Sequence, residues 1–257
     1  MRLYIARHGS ADKTVNAKGF PQILGGSERF DKGLNAKGVE QARELGAVQL
    51  KGVMERIGGF DAVYASDLKR ALETASMAMA ACGHDGLIRQ DARINERHFG
   101  DYSGAFCDEM ALDRDFLACM KHNALRYLPV PPGWAMPQDL ERALYDGNVD
   151  LKERIELTNI LSINNEVASK KLEPVTDIVA RLTAFEDCLL REHGADSNIA
   201  VFCHGDVLKV WMHKVATQKG RYDKETVVEL MARDIKNEPK GIYRQISHCD
   251  LFVVGLA

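Results

Sequence analysis

Short apolar runs alternate along the chain with longer segments whose apolar positions recur every three or four residues. Residues 3–6, 62–65 and 199–203, and a stretch near 249–254, are apolar runs without helical period and predict buried strands. Between them, residues 35–57 read as a helix, with Asn35 as N-cap and Gly58-Gly59 as the stop. Residues 67–82 carry Leu68, Ala71, Leu72, Ala75 and Met79 at helical spacing and end at Gly83. Residues 176–193 repeat the pattern with Ile178, Leu182, Phe185 and Leu189, and 206–216 and 224–235 also read as helices. Strands alternating with helices predict a three-layer α/β/α fold around a mostly parallel sheet.

The middle of the chain breaks this rhythm. Residues 106–172 hold helical stretches at 108–128, 138–145 and 150–171, split by Pro129-Val130-Pro131-Pro132-Gly133, with no convincing strand. We read them as a helical cap within a single domain spanning 1–257. Composition (46% hydrophobic, 28% charged) is that of a soluble globular protein. No apolar run approaches the roughly 20 residues of a membrane span, so no membrane partner is expected. The net charge of −3 offers no field for a phosphate backbone, which argues against nucleic acid. That small number hides an imbalance. Residues 1–100 carry 15 Lys+Arg against 12 Asp+Glu, whereas 101–175 carry 8 against 13. The six cysteines (82, 107, 119, 188, 203, 249) lack CxxC spacing, and the opening residues form a strand pattern without a signal-peptide core. A reduced, cytoplasmic chain is expected.

Three polar clusters each follow a predicted strand directly: Arg7-His8-Gly9, Ser66-Asp67-Leu68-Lys69-Arg70, and His204-Gly205-Asp206. Open α/β sheets bind ligands beyond the carboxyl ends of their strands, so the three clusters converge on one site. Two arginines and two histidines suit phosphoryl transfer, which needs fixed positive charge and a nucleophile. A neutral imidazole can itself attack phosphorus. Helix N-termini after His8-Gly9 and His204-Gly205 would add backbone donors. No GxxxxGK[ST] loop is present, which excludes a P-loop kinase.

These residues, with Leu34-Asn35-Ala36-Lys37-Gly38, Gln41-Ala42, Thr74-Ala75, Ile94-Asn95-Glu96-Arg97-His98-Phe99-Gly100 and residues 173–181, run in the order seen in one family. The chain resembles the histidine phosphatase superfamily, the phosphoglycerate mutase-like proteins, in the branch with a Glu general acid. The resemblance implies that His8 is the phosphorylated nucleophile and that Arg7, Arg70 and His204 clamp the phosphate, with Gly205 beside them. Glu96 would protonate the leaving oxygen and then help water attack. It implies no metal and no organic cofactor.

Departures from the family pattern set further expectations. Asp206 is a rival acid to Glu96. Asn16, slightly displaced from the usual Asn, is a candidate phosphate contact. Gln22 and Gly26 belong to a loop whose Lys13, Lys18, Arg29 and Lys32 would meet a second anionic group or simply face solvent. Residues 134–172 read as an atypical insertion, either a lid over the pocket or a structural or dimerising helical pair. His84, His122, His193 and His213 lack metal-ligand spacing; His98 either lines the pocket or is structural. Cys203 should point into the core, away from His204.

The expected partner is a phosphorylated small molecule or a phosphoprotein, with a homodimer compatible with the sequence. The leading function is a phosphatase. A phosphoglycerate mutase-type transfer is the first alternative, supported by Asn95-Glu96-Arg97-His98. Family mutases usually extend a tail over the site, and this chain ends three residues after Val254, which favours hydrolysis. A non-catalytic phospho-ligand binder is the second alternative.

Overall fold

A computed structural model describes residues 1–112, 171–217, 221 and 248–256. The expected insertion at 134–172, up to residue 170, and the expected helix at 224–235 lie outside the described residues. The chain divides into two compact units. The first comprises Met1–Asp12, Ser27–Glu96 and Ile178–Ala257, and the second Lys13–Gly26 and Arg97–Asp177.

The first unit is built on a five-stranded sheet in the order β3-β2-β4-β1-β5. Its strands are β1 (Arg2–Arg7), β2 (Ala62–Ala65), β3 (Ile88–Gln90), β4 (Asn198–Cys203) and β5 (Leu251–Gly255). The first four pair in parallel and only β5 runs antiparallel, beside β1. The mostly parallel sheet follows the sequence expectation, because strands buried on both faces read as continuous apolar runs. Strand β3 was not legible: three residues at an edge, none of them buried, carry no apolar signature.

Alternation along the strands divides the core. Tyr4, Ala6, Val63, Ala65, Ala200 and Phe202 pack with Leu45, Leu50, Val53, Ala75, Ala78 and Met79 from helices α1 (Ala36–Glu44), α2 (Lys51–Ile57) and α3 (Lys69–Cys82). Helices α1 and α2 are joined by a π-helical stretch, Leu45–Leu50, rather than forming one regular α-helix. The wider turn re-phases the buried side, so Leu45, Gly46, Leu50 and Val53 all face inward. Gly46 permits this approach, since a Cβ there would collide with the carbonyl of Ala78 in α3.

On the opposite face lie α5 (Val175–Glu192) and α6 (Gly205–Thr217). The Phe185 ring meets the edges of Tyr64 at 5.5 Å and Trp211 at 6.0 Å. A buried polar clamp ties these two helices. Glu186 accepts from Trp211 Nε1 at 2.7 Å, Lys214 Nζ at 2.9 Å and Arg221 Nε at 2.8 Å. Burial draws the Lys214 pKa down, while Glu186 opposes the shift.

The second unit holds the 13–26 loop, a 3₁₀ turn at Gly100–Tyr102 and the short helix α4 (Cys107–Leu112). Buried Arg97 donates from Nε to the Glu173 carbonyl at 2.9 Å, and His98 N–H donates to the Glu173 carboxylate at 2.9 Å. These bonds give Arg97, His98 and Glu173 a structural task. Among the described residues, no helix is long and apolar enough to cross a membrane.

Candidate active site

The sheet order explains why distant clusters meet. Strands β2, β4 and β1 are adjacent, and the residues after their carboxyl ends share one edge. The ladder continues past each strand: His8 N–H donates to Cys203 O at 3.0 Å and Ser66 N–H to Phe202 O at 3.0 Å. His8, Arg70 and His204 are all buried there.

Two contacts fix the protons of His8. Its Nδ1 lies 2.6 Å from the Gly9 carbonyl, which can only accept, so Nδ1 carries the proton. Arg70 Nε lies 3.2 Å from His8 Nε2, and a guanidinium can only donate, so Nε2 presents a lone pair. Burial holds the His8 pKa well below its usual value, helped by Arg70, His204 and Arg7. A neutral imidazole with a directed lone pair results. Burial also lowers the Arg7 pKa, while Glu96, Asp206 and Asp250 pull it back up.

The neighbouring motifs hold this arrangement. Thr74, one turn after Arg70, donates to the Arg70 carbonyl at 2.7 Å and accepts from Gly9 N–H at 3.0 Å. Asn35 caps α1 by accepting from Gly38 N–H at 2.9 Å, and its amide donates to Ser10 Oγ at 3.0 Å. Gln41 accepts from Ser10 N–H at 2.9 Å. A Cβ on Gly9 would sit 2.6 Å from the Gly38 carbonyl, so this close passage needs glycine. At Gly205, a Cβ would lie 3.3 Å from Arg7 Nε, a close approach that would press on the Arg7 guanidinium.

Asp31 was absent from the sequence reading. Its Oδ2 accepts from Arg70 Nη1 at 2.9 Å, with side chains only 3% and 1% exposed, and Oδ1 accepts from Gly33 N–H at 3.0 Å. The carboxylate aims the guanidinium so that Nε faces His8. An acidic residue in a loop of lysines gave no signal; only the fold brings it under α3. Asp31→Asn is expected to lower kcat/KM by about 10²-fold through misplacement of Arg70. Steady-state kinetics beside a thermal melt would check this, and unchanged kinetics would refute it.

His248 was also missed. Its ring lies 5.6 Å from that of His8, nearly as close as His204 at 5.0 Å. Because β5 is antiparallel, its entry end lies at the carboxyl edge of the parallel strands. Cys249 takes a left-handed backbone (φ 62°) there, while its N–H donates to the Arg7 carbonyl at 3.1 Å.

Glu96 follows Asn95, whose side-chain oxygen accepts from Ser66 Oγ at 2.6 Å, and its charge acts on Arg7. Asp206 also acts on Arg7, but its Oδ1 accepts from Lys209 Nζ at 2.9 Å. Asn16 belongs to the second unit. It donates to Asp108 Oδ1 at 2.9 Å and accepts from Lys18 and Phe20 N–H at 3.0 Å, closing its own loop. Gln22 donates to the Gly104 carbonyl at 2.7 Å, and Lys18 pairs with Asp108 at 3.8 Å.

Cys203 is fully buried, as its strand position implies, and burial raises its thiol pKa. His84 packs against Phe60, and His193 bonds the Tyr64 hydroxyl at 3.0 Å. His98 Nδ1 accepts from Gly100 N–H at 3.0 Å. His122 lies outside the described residues.

A 2,3-bisphosphoglycerate-dependent phosphoglycerate mutase of Streptococcus gordonii is 27% identical over 211 residues, 81% of this chain and 81% of that protein. Another, from Parvibaculum lavamentivorans, is 38% identical over 81 residues, 31% of this chain. The chain spans only 36% of that mutase's length, and 47% of the corresponding enzyme of Afipia carboxidovorans. Among solved structures, a phosphoglycerate mutase from Bacillus anthracis has a TM-score of 0.58 at 22% identity, covering 100% of this chain and 89% of that one. A mycobacterial glucosyl-3-phosphoglycerate phosphatase has a TM-score of 0.52 at 19% identity, covering 83% and 81%. These structural likenesses establish a shared fold. The histidine phosphatase superfamily (branch 1) model matches residues 3–145. That match runs through the His8 turn, the Arg70 helix and Glu96 alike, and the chain belongs to branch 1 of the histidine phosphatase superfamily.

Proposed function

We propose that the chain is a phosphomonoesterase working through a phosphohistidine on His8. The observation that carries this reading is the proton placement on His8: Nδ1–H is spent on the Gly9 carbonyl and the Nε2 lone pair lies beside a guanidinium. In the first step Nε2 bonds to phosphorus as the ester P–O bond breaks, and Glu96 gives its proton to the leaving oxygen. In the second, the Glu96 carboxylate takes a proton from water, the water oxygen bonds to phosphorus and the P–N bond breaks. Arg7, Arg70 and His204 neutralise the equatorial oxygens. The Asp206 carboxylate is engaged by Lys209 at 2.9 Å, which supports giving the acid role to Glu96.

The substrate is a phosphorylated small molecule; a phosphorylated protein side chain offers the same ester. A mutase reading draws support from the Streptococcus gordonii relative, which matches 81% of this chain. Rapid-quench labelling separates the two. A label on His8 discharged to water supports the phosphatase, discharge only to phosphoglycerate supports the mutase, and no labelling by any donor refutes both. Glu96→Gln is expected to slow alkyl phosphates by about 10²–10⁴-fold. With p-nitrophenyl phosphate, whose leaving group needs no proton, the same variant should accumulate phosphoenzyme. Equal loss of labelling from both esters would remove Glu96 from the acid role.

A further inference from the structure

Hydrogen-bond directions around His204 leave it one neutral form. Asp67 N–H donates to the Asn95 side chain at 3.0 Å, so the atom it meets is the amide oxygen. Ser66 Oγ lies 2.6 Å from that same oxygen and must spend its single proton on it. The Leu68 N–H also donates to Ser66 Oγ, at 3.2 Å. Ser66 Oγ can therefore only accept from His204 Nε2, 2.7 Å away. Nε2 carries the proton, and the neutral ring is left with a lone pair on Nδ1. That atom is buried and has no hydrogen-bond partner among the described residues.

The surroundings keep the ring neutral until an anion arrives. Arg7 and His8 come from the end of β1, Arg70 from α3 and Arg181 from α5, and the His8 ring is 5.0 Å away. Asp206, on the first turn of α6, and Glu96 both act on Arg7. Burial, then Arg70, Arg7 and Arg181, hold the His204 pKa well below its usual value. A bare Nδ1 lone pair repels a phosphoryl oxygen, so His204 can grip one only by first gaining a proton.

We propose that Ser66 and Asn95 are positioning residues that lock His204 as Nε2–H, so that the site captures a phosphoryl dianion together with one solvent proton held on Nδ1. The inference rests on the phosphoryl-site reading above. The balance is simple: one dianion and one proton enter, the imidazole becomes imidazolium, and both depart on release. Without the Ser66 acceptor, the neutral ring could move its proton to Nδ1 and donate with no uptake.

Tungstate tests this, being a dianion at neutral pH with no proton of its own to exchange. Calorimetric titration in buffers of different ionisation heat should show uptake of about one proton per tungstate bound. Ser66→Ala should lower that uptake to less than about half, whereas Ser66→Thr, which keeps the hydroxyl, should restore it. In the unaltered protein, long-range ¹⁵N NMR of the histidines should read His204 as Nε2–H before tungstate and doubly protonated after. Binding without uptake, equal uptake in S66A, or an Nδ1–H ring at rest would each overturn the proposal while leaving the phosphoryl site intact. Tungstate failing to bind at all would refute the site reading itself, and the proposal with it.

Discussion

His8→Asn is expected to lower phosphomonoester turnover by about 10⁴-fold or more and to abolish the acid-labile phosphoenzyme. The amide fills much of the imidazole's space but cannot form the P–N bond. Arg7, Arg70 and His204 remain, so tungstate should still bind, which separates loss of chemistry from loss of the site. Retained turnover with the label on another residue would remove His8 as the nucleophile, and retained turnover with no label at all would overturn the covalent mechanism. The same variant should also blunt acid sensitivity. The folded-state pKa values of His8 and His204 both lie well below the usual 6.5. Above 6.5 both are neutral folded or unfolded and contribute no slope. Below it the unfolded chain takes protons that the folded one refuses, so stability falls as pH falls. Each such histidine contributes up to about 1.4 kcal/mol per pH unit in that window. Removing one should flatten the fall in urea midpoint between neutral and mildly acidic pH, and an unchanged slope would contradict the buried, neutral state.

The second large effect concerns stability. Glu186→Leu is expected to cost about 3–5 kcal/mol in urea unfolding. The Glu186 and Lys214 side chains are 0% and 1% exposed, so deleting the carboxylate strands a buried ammonium. Trp211 Nε1 and Arg221 lose an acceptor in the same step. The cost should come from the uncompensated charge rather than from an intrinsically strong pair. Adding Lys214→Met should therefore recover about half of the loss or more, because a well-packed apolar pair can replace a buried ion pair. A single-variant loss below about 1 kcal/mol would mean that water reaches Lys214.

Strands β1, β2 and β4 were legible because each is an apolar run followed at once by polar residues, and the same adjacency exposed His8, Arg70 and His204. Helix α1 was legible from Asn35, but its π-helical continuation was not. That feature depends on the Ala78 carbonyl of another helix, which no local pattern encodes. Asp31, Ser66 and Asn95 act through other side chains. Their types are ordinary for loops, so only three-dimensional hydrogen-bond directions reveal what they do. His248 escaped for a related reason: its proximity to His8 comes from the reversed direction of β5, and direction cannot be read from an apolar run.

Strand β1 lies between β4 and β5 and has no other neighbours in the sheet. Residues 2–7 leave the ribosome well before either of their partners, which both lie beyond residue 197. During synthesis the strand that carries His8 therefore waits with two open edges, a template for unwanted pairing. The parallel β1–β4 pairing closes a loop of nearly 200 residues, which makes it a late, slow event. Assembly of the His8–His204 cluster and edge protection thus arrive together, and a chain stopped before residue 198 carries the aggregation hazard without the assembled cluster.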